Sequence, residues 1–193
     1  DNTVYGVNAM RVNTTGTNNT AVGVNALYNS NGSFNTATGY ISLESNTGDR
    51  NTAFGYGSLS VNTTGIRNTA VGMFAGNVNS VGDDNVFIGY NANALSNNLT
   101  NAIAIGYNAT VSSSNSMVLG EGVNVGIGIP SPAAKLHIKG ADATSANYAL
   151  KVDNSASTNL LSIANNGAAI FNSILDGTGG GVDNYKYSST TGG

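Results

Sequence analysis

The chain contains no cysteine and no tryptophan, and it has only two prolines and one histidine among 193 residues. The absence of cysteine excludes a disulfide framework, a thiol nucleophile and a zinc–thiolate site. Charged residues make up 9% of the sequence, against roughly 25% in an ordinary globular protein. The net charge is −3, so the chain has too few basic groups to neutralise a row of phosphates, and we expect no nucleic-acid partner.

Long apolar runs and a recognisable export signal are also missing from the sequence. No apolar run approaches the ~18 residues of a membrane-spanning helix, so we predict no membrane insertion. Asp1–Val4 do not have the basic and apolar regions of a signal peptide. We therefore expect that the chain was processed, that it is a fragment, or that its export uses another signal.

Glycine and asparagine are abundant, and the glycines recur in phase. The segment Asn19-Thr20-Ala21-Val22-Gly23 returns in further copies, and its final glycine, the main glycine, recurs every 14 to 17 residues. The main glycines are Gly6, Gly23, Gly39, Gly55, Gly72, Gly89, Gly106 and Gly120. A second glycine precedes the main glycine by seven residues in five copies, at Gly16, Gly32, Gly48, Gly65 and Gly82. Two phased glycines over so many copies indicate a repeat architecture.

Other positions of the repeat also form columns. Alanine predominates two residues before the main glycine, and β-branched or aromatic residues predominate one residue before it. Four residues before the main glycine, asparagine occurs in six of the eight copies, at Asn2, Asn19, Asn35, Asn51, Asn68 and Asn85. We predict that these amides form a hydrogen-bonded ladder, each amide bonding the ones above and below it.

The length of the repeat selects the fold class. It is too short for a helical hairpin, because helical repeats need about 33 residues. It accommodates two strands of about five residues and two tight turns, with a glycine at each corner. Coils stacked about 4.8 Å apart make a rod roughly 40 Å long. We predict an all-β, parallel β-roll or solenoid of about eight coils over residues 1–128.

A single coil of this size encloses little apolar volume. The sequence has few charged residues that could keep the broad faces of the coil solvated. We therefore expect a homo-oligomer, for which a trimer around the long axis is the natural closed arrangement of a fibre.

The repeat stops near Gly120, and the remaining chain has a different pattern. Pro130 and Pro132 favour an extended exit. Alternating residues predict strands at 135–139 and 148–152, and Asn165-Asn166-Gly167 predicts a hairpin turn between strands at 160–163 and 168–171. We predict a small β module over 129–176, itself trimeric, and a Gly-rich flexible tail or linker over 177–193.

The candidates for catalytic chemistry have simpler structural interpretations. His137 shares a predicted strand face with Lys135 and Lys139, which favours a solvated polar face over a Ser-His-Asp triad. The acidic pair Asp83-Asp84 is suited to glycoside cleavage or to calcium binding. Arg67 and Asp84, however, occupy the same column in neighbouring coils, which predicts a surface ion pair. We predict no enzymatic activity, no cofactor and no metal.

Two further columns are candidate contact surfaces. Aromatic rings follow the main glycine at Tyr40, Tyr56, Tyr90 and Tyr107. They are predicted either to pack within or between subunits, the commoner role, or to contact a ligand such as a sugar ring. Hydroxyls form a column at Thr3, Thr20, Thr36, Thr52 and Thr69. A flat array of this kind is suited to binding ice, but the column stops at Val86.

Several segments resemble known fibre proteins. The copies at 19–27, 51–59, 68–75 and 115–120 resemble the head repeats of trimeric autotransporter adhesins. The nearer likeness is to bacteriophage tail fibres and related fibres of contractile injection systems. There, NTAVG-type repeats precede segments that resemble 124–138 and 160–167. The resemblance covers residues 1 to about 171 and implies a left-handed parallel β-roll, assembled as a homotrimer on an extracellular or virion fibre.

The functional expectation follows from the repeat and the resemblance together. We expect a structural or attachment fibre protein that binds a cell-surface receptor, a glycan or a surface protein, through many weak contacts. Other fibre or baseplate proteins are the expected neighbours. The expected location is extracellular: a virion tail fibre, an injection-system fibre or a cell surface. The alternative is a self-polymerising extracellular filament subunit, and a polysaccharide-degrading fibre and an ice-binding solenoid are less favoured.

Overall fold

The computed structural model describes residues 1–141, 148–153, 159–164 and 169–171. The chain divides into two compact units, Asp1–Val123 and Asn124–Gly193. The described residues form strands and turns without any helix, and so none of them lies in a helix able to cross a membrane. The predicted turn Asn165-Asn166-Gly167 and the predicted tail at 177–193 lie outside the described residues.

The first unit is built from strands of two or three residues, not the predicted five, and most coils contain one strand instead of two. The strands are β1 (Thr3–Tyr5), β2 (Thr20–Val22), β3 (Thr36–Thr38), β4 (Thr52–Phe54), β5 (Thr69–Val71), β6 (Val86–Ile88), β7 (Asn93–Ala94), β8 (Ile103–Ile105), β9 (Thr110–Val111) and β10 (Met117–Leu119). Eight of them form one parallel sheet in the order β1-β2-β3-β4-β5-β6-β8-β10, and β7 pairs with β9 in a second parallel sheet. The unit is therefore a parallel β-solenoid of about seven turns, which confirms the predicted fold class at this level.

The register of the large sheet follows the columns of the sequence. Ala21 pairs with Ala37, and Ala37 pairs with Ala53. The middle residue of each three-residue strand faces the interior, where these alanines are fully buried. Leu27, Leu43 and Leu59, four residues after a main glycine, are also fully buried. The core thus combines small and large apolar side chains.

The main glycines mark the corner that ends each strand. Gly23 has φ of 133°, and a Cβ added to it would lie 2.5 Å from the carbonyl oxygen of Gly39. Gly55 repeats this arrangement against Gly72 at 2.6 Å. A side chain here would meet the backbone of the next coil as well as adopt a disfavoured φ, so both constraints require glycine.

Left-handed backbone also occurs in columns that are held mainly by residues other than glycine. Residues two positions after the main glycine and five positions before it have positive φ, as do those four positions after it in the first five coils. We call the last column the αL edge; its members, with φ between 53° and 61°, are Asn18, Phe34, Arg50, Arg67, Asp84, Asn101 and Asn115. The repeat spacing predicts that Arg50, Arg67 and Asp84 share one edge, but it gives no indication of the backbone conformation there.

The second unit contains two small sheets. β11 (Val125–Ile127) pairs in parallel with β12 (Leu136–Ile138). β13 (Tyr148–Asp153), β14 (Asn159–Ala164) and β15 (Ala169–Phe171) form an antiparallel sheet in that order. The grouping of these strands into a trimeric module stays a prediction.

Candidate functional site

The predicted asparagine ladder lies in the interior from Asn19 to Asn85, whereas Asn2 is exposed, and the amides of the ladder bond the backbone of adjacent coils. Asn19 Oδ1 accepts the N–H of Asn35 at 2.8 Å, and Asn19 Nδ2 donates to the carbonyl of Gly32 at 2.8 Å. The same pair of bonds recurs at Asn35, at Asn51 and at Asn68. We predicted that the amides of this column bond one another. In the structure they bond the backbone of the adjacent coils instead. Each column member fastens two coils together, which is a structural role.

A second buried asparagine column was not predicted from the sequence. Asn13, Asn46, Asn62 and Asn79 stand seven residues after a main glycine, and the last three are fully buried. Asn62 Nδ2 donates to Asn46 Oδ1 at 2.6 Å, so amide-to-amide bonding occurs here. Ser30 occupies the same position in its coil, and its buried Oγ has no hydrogen-bond partner. The constant distance of seven residues from the main glycine is the sequence pattern that indicates this column.

The tyrosine column forms two stacks of rings. Tyr40 and Tyr56 are stacked with centroids 5.2 Å apart, and Tyr56 meets Phe74 edge-on at 5.1 Å. Tyr90 and Tyr107 are stacked at 5.4 Å. Within each stack the rings cover one another's faces. Because a sugar ring packs on an exposed aromatic face, this geometry favours packing over ligand contact for the facing sides.

The acidic pair is engaged by neighbouring coils. Asp84 accepts two hydrogen bonds from the guanidinium of Arg67, at 2.5 and 2.8 Å, forming the ion pair that the sequence predicted. The hydrogen bond from Arg67 lowers the pKa of Asp84, and the same bond raises the pKa of Arg67. Asp83 Oδ1 accepts the backbone N–H of Ile66 at 2.8 Å. Both carboxylates therefore hold one coil to the next.

Another arginine of the αL edge has a different environment. The guanidinium carbon of Arg50 lies 5.4 Å from the centroid of the Phe34 ring, a cation–π geometry. Both side chains are accessible to solvent, Phe34 at 53% of its surface. Asp49, beside Arg50 in the sequence, uses Oδ1 to accept the N–H of Ser33 at 2.8 Å. Arg50 and Phe34 form a pair at the surface that was not predicted from the sequence.

His137 has a structural partner in its own unit. Its Nδ1 accepts the backbone N–H of Ala133 at 3.1 Å, which holds the turn before β12. It lines an open, mainly apolar cavity of about 420 Å³ together with Leu136, Ile138, Leu150 and Ile163. Within residues 1–141 and the three later described segments, no three His, Asp or Glu side chains converge as a metal site requires.

The outward side of the large sheet is broad and uncharged. It presents the first and third residues of each strand, which we call the strand face. Its members are Thr3, Tyr5, Thr20, Val22, Thr36, Thr38, Thr52, Phe54, Thr69, Val71, Val86, Ile88, Ile103, Ile105, Met117 and Leu119. From β6 onward every member is aliphatic or methionine. Seven steps of about 4.8 Å make this face roughly 34 Å long.

Comparison with known proteins identifies no relative. No family model matches the chain, and no curated protein or solved structure matches it. Support for a function therefore comes from the geometry of the solenoid and from the resemblance of its repeats.

Proposed function

We propose that the chain is a non-catalytic segment of an extracellular attachment fibre, assembled as a homotrimer of left-handed solenoids. It would extend from its attachment point and contact a cell-surface receptor, a glycan or a surface protein. Other fibre or baseplate proteins are its proposed neighbours. The observation that carries the proposal is the combination of a stacked solenoid with an uncharged strand face along its whole length.

Coil-to-coil hydrogen bonds give the solenoid the stiffness that a fibre needs. Around one coil boundary, Thr20 N–H donates to Asn35, Leu27 N–H donates to Ser42, and Gly39 N–H donates to Val22, at 2.8 to 3.0 Å. These bonds lie on different sides of the coil, and the buried asparagines add a bond from the interior. A turn held on all sides resists bending and sliding.

The strand face supports assembly with further copies. Ile88 and Met117 remain 38% and 53% exposed in the single chain. An exposed apolar strip without charges matches the composition of an interface core, from which charged residues are depleted. Three copies around the long axis would bury this strip and close the assembly. The resemblance to trimeric fibre repeats supports the same arrangement.

The candidate catalytic side chains form hydrogen bonds within the fold, which supports a non-enzymatic role. Asp83 caps a backbone N–H, Asp84 binds Arg67, and His137 accepts from Ala133. A general acid or base must have its proton-accepting atoms available to substrate. Both oxygens of Asp84, one oxygen of Asp83 and one ring nitrogen of His137 are engaged in structural bonds.

A self-polymerising filament stays the alternative prediction. The uncharged strand face is also suited to joining copies in an open array, whose mass would grow with protein concentration.

Light scattering with matched variants tests the proposal. The trimer hypothesis predicts a constant mass of three chains at low micromolar concentration, and the filament hypothesis predicts a mass that grows with concentration. Ile88→Lys on the strand face should yield single chains. Val78→Lys, at a site with a similar exposure of 40% outside that face, should retain the trimer. A trimer from Ile88→Lys would show that the strand face is not the interface. Failure of the wild-type trimer to attach to any cell surface would refute the attachment role.

A further inference from the structure

The αL edge contains one residue that the local physics disfavours. Asparagine tolerates left-handed backbone and fills three of its seven positions, and charged residues fill three more. Phe34 fills the remaining position with φ of 61° and leaves 53% of its surface exposed. A bulky aromatic residue strains this backbone and gains little burial here. Residues that break a local rule without a folding benefit are candidates for function.

Arg50 lies next to Phe34 on the same edge and has a free cation. Its guanidinium carbon lies over the Phe34 ring, 5.4 Å from the centroid, while Asp49 accepts a hydrogen bond from Ser33 and Arg67 is paired with Asp84. In the part of the chain that the structure describes, Arg50 has no carboxylate partner. Its planar fork of N–H donors is therefore available to hold a carboxylate in bidentate geometry.

We propose that Phe34 and Arg50 form a contact site for an acidic sugar, an inference that rests on the proposed attachment function. A uronic acid carries a carboxylate for the guanidinium of Arg50 and C–H groups that pack against the ring of Phe34. Three copies in a trimer present three such sites on one rod, so weak single contacts combine through effective concentration. The occupant is thus a carboxylate-bearing glycan of a cell surface.

Calorimetry with defined sugars tests the site directly. The probes are tetragalacturonate and the uncharged maltotetraose, titrated into the intact chain. Phe34→Asn and Arg50→Asn install a residue that the same edge holds at Asn18, Asn101 and Asn115, so both variants should fold. We expect tetragalacturonate to bind and maltotetraose not to bind. Each variant should raise the Kd for tetragalacturonate about tenfold or more. Arg11→Asn removes the same charge from another column and should leave the Kd unchanged.

Several results would overturn the assignment. They are an absence of tetragalacturonate binding, binding that survives both variants, and an equal loss in Arg11→Asn, which would indicate a general charge effect. A smaller oligomer from Phe34→Asn would make Phe34 a subunit contact instead. Equal binding of hexaglutamate would assign the site to an acidic peptide.

A cell-attachment assay separates failure of this site from failure of the proposed function. Cells that bear acidic polysaccharide should retain the wild-type chain and release both variants. If wild type and variants attach equally, the attachment function holds and the site assignment fails. If the wild-type chain does not attach, the proposed function itself fails.

Discussion

Within the turn between Gly72 and Gly89, the two facing core positions hold Gly76 and Phe87. In the preceding turn the same positions hold Leu59 and Ala70, so the large and the small residue have changed places. A Cβ added to Gly76 would lie 2.7 Å from Phe87 Cδ2 and 2.8 Å from Cδ2 at the flexible end of Leu59, and the Phe87 side chain is fully buried. We predict that the double variant Gly76→Leu/Phe87→Ala folds stably, although either single change is damaging.

The expected magnitudes follow from the packing. Phe87→Ala alone empties a buried aromatic site and should destabilise by about 3–5 kcal/mol. Gly76→Leu alone forces a side chain into the Phe87 ring and should cost about 1–3 kcal/mol or more. Leu59 adopts φ of 48° at the corresponding position, so leucine is compatible with the backbone of this column. The double variant should lie within about 1 kcal/mol of wild type, which implies a coupling of at least about 3 kcal/mol.

Urea unfolding followed by far-ultraviolet circular dichroism measures this coupling. All variants are compared at one protein concentration, because assembly contributes to apparent stability. Phe87→Ala combined with Leu27→Gly, several turns away, is the control and should show additive effects. Additive losses in the Gly76 and Phe87 double variant would refute the compensation, because the two side chains would then not share one space.

Three further outcomes follow from individual residues. Ser30→Asn should restore the second asparagine column and raise the free energy of unfolding by about 1 kcal/mol, while the exposed Ser45→Asn should leave it unchanged. Ile41 is β-branched with φ of 50°, in a column otherwise held mainly by asparagine, so Ile41→Asn should stabilise by about 1 kcal/mol in thermal unfolding; a loss of stability would mean that its packing outweighs its strain. Because Arg67 lowers the pKa of Asp84, the contribution of the pair is present above the ordinary aspartate pKa and is lost as pH falls through the lowered value. A carboxyl NMR titration should show this shift, and Arg67→Asn should remove it.

The main glycines made the solenoid predictable, because close approach of adjacent backbones leaves no room for any other residue. The register of the large sheet follows directly from the spacing of Gly23, Gly39 and Gly55. The second asparagine column was harder to find. Because the coils have either 16 or 17 residues, this column does not keep a constant distance from the second glycine. Ser30 also interrupts the run of asparagines.

The pairing of contact residues was less accessible to sequence reasoning. The exchange between Gly76 and Phe87 is a compensation between two columns, which inspection of either column alone does not reveal. The stacking of Tyr40 on Tyr56 depends on side-chain rotamers, and so does the contact between Phe34 and Arg50. The spacing of the repeat determined which residues are neighbours along an edge, but not which of their surfaces remain exposed.

The hydrogen bonds that join successive coils run along the axis of the solenoid. A pull applied to the two ends of the solenoid therefore loads the bonds of a terminal coil first, and the interior coils stay shielded until that coil opens. Each opened coil would release about 50 Å of slack chain. In the proposed attachment fibre, the solenoid would therefore open in a series of small dissipative steps and absorb part of a mechanical load.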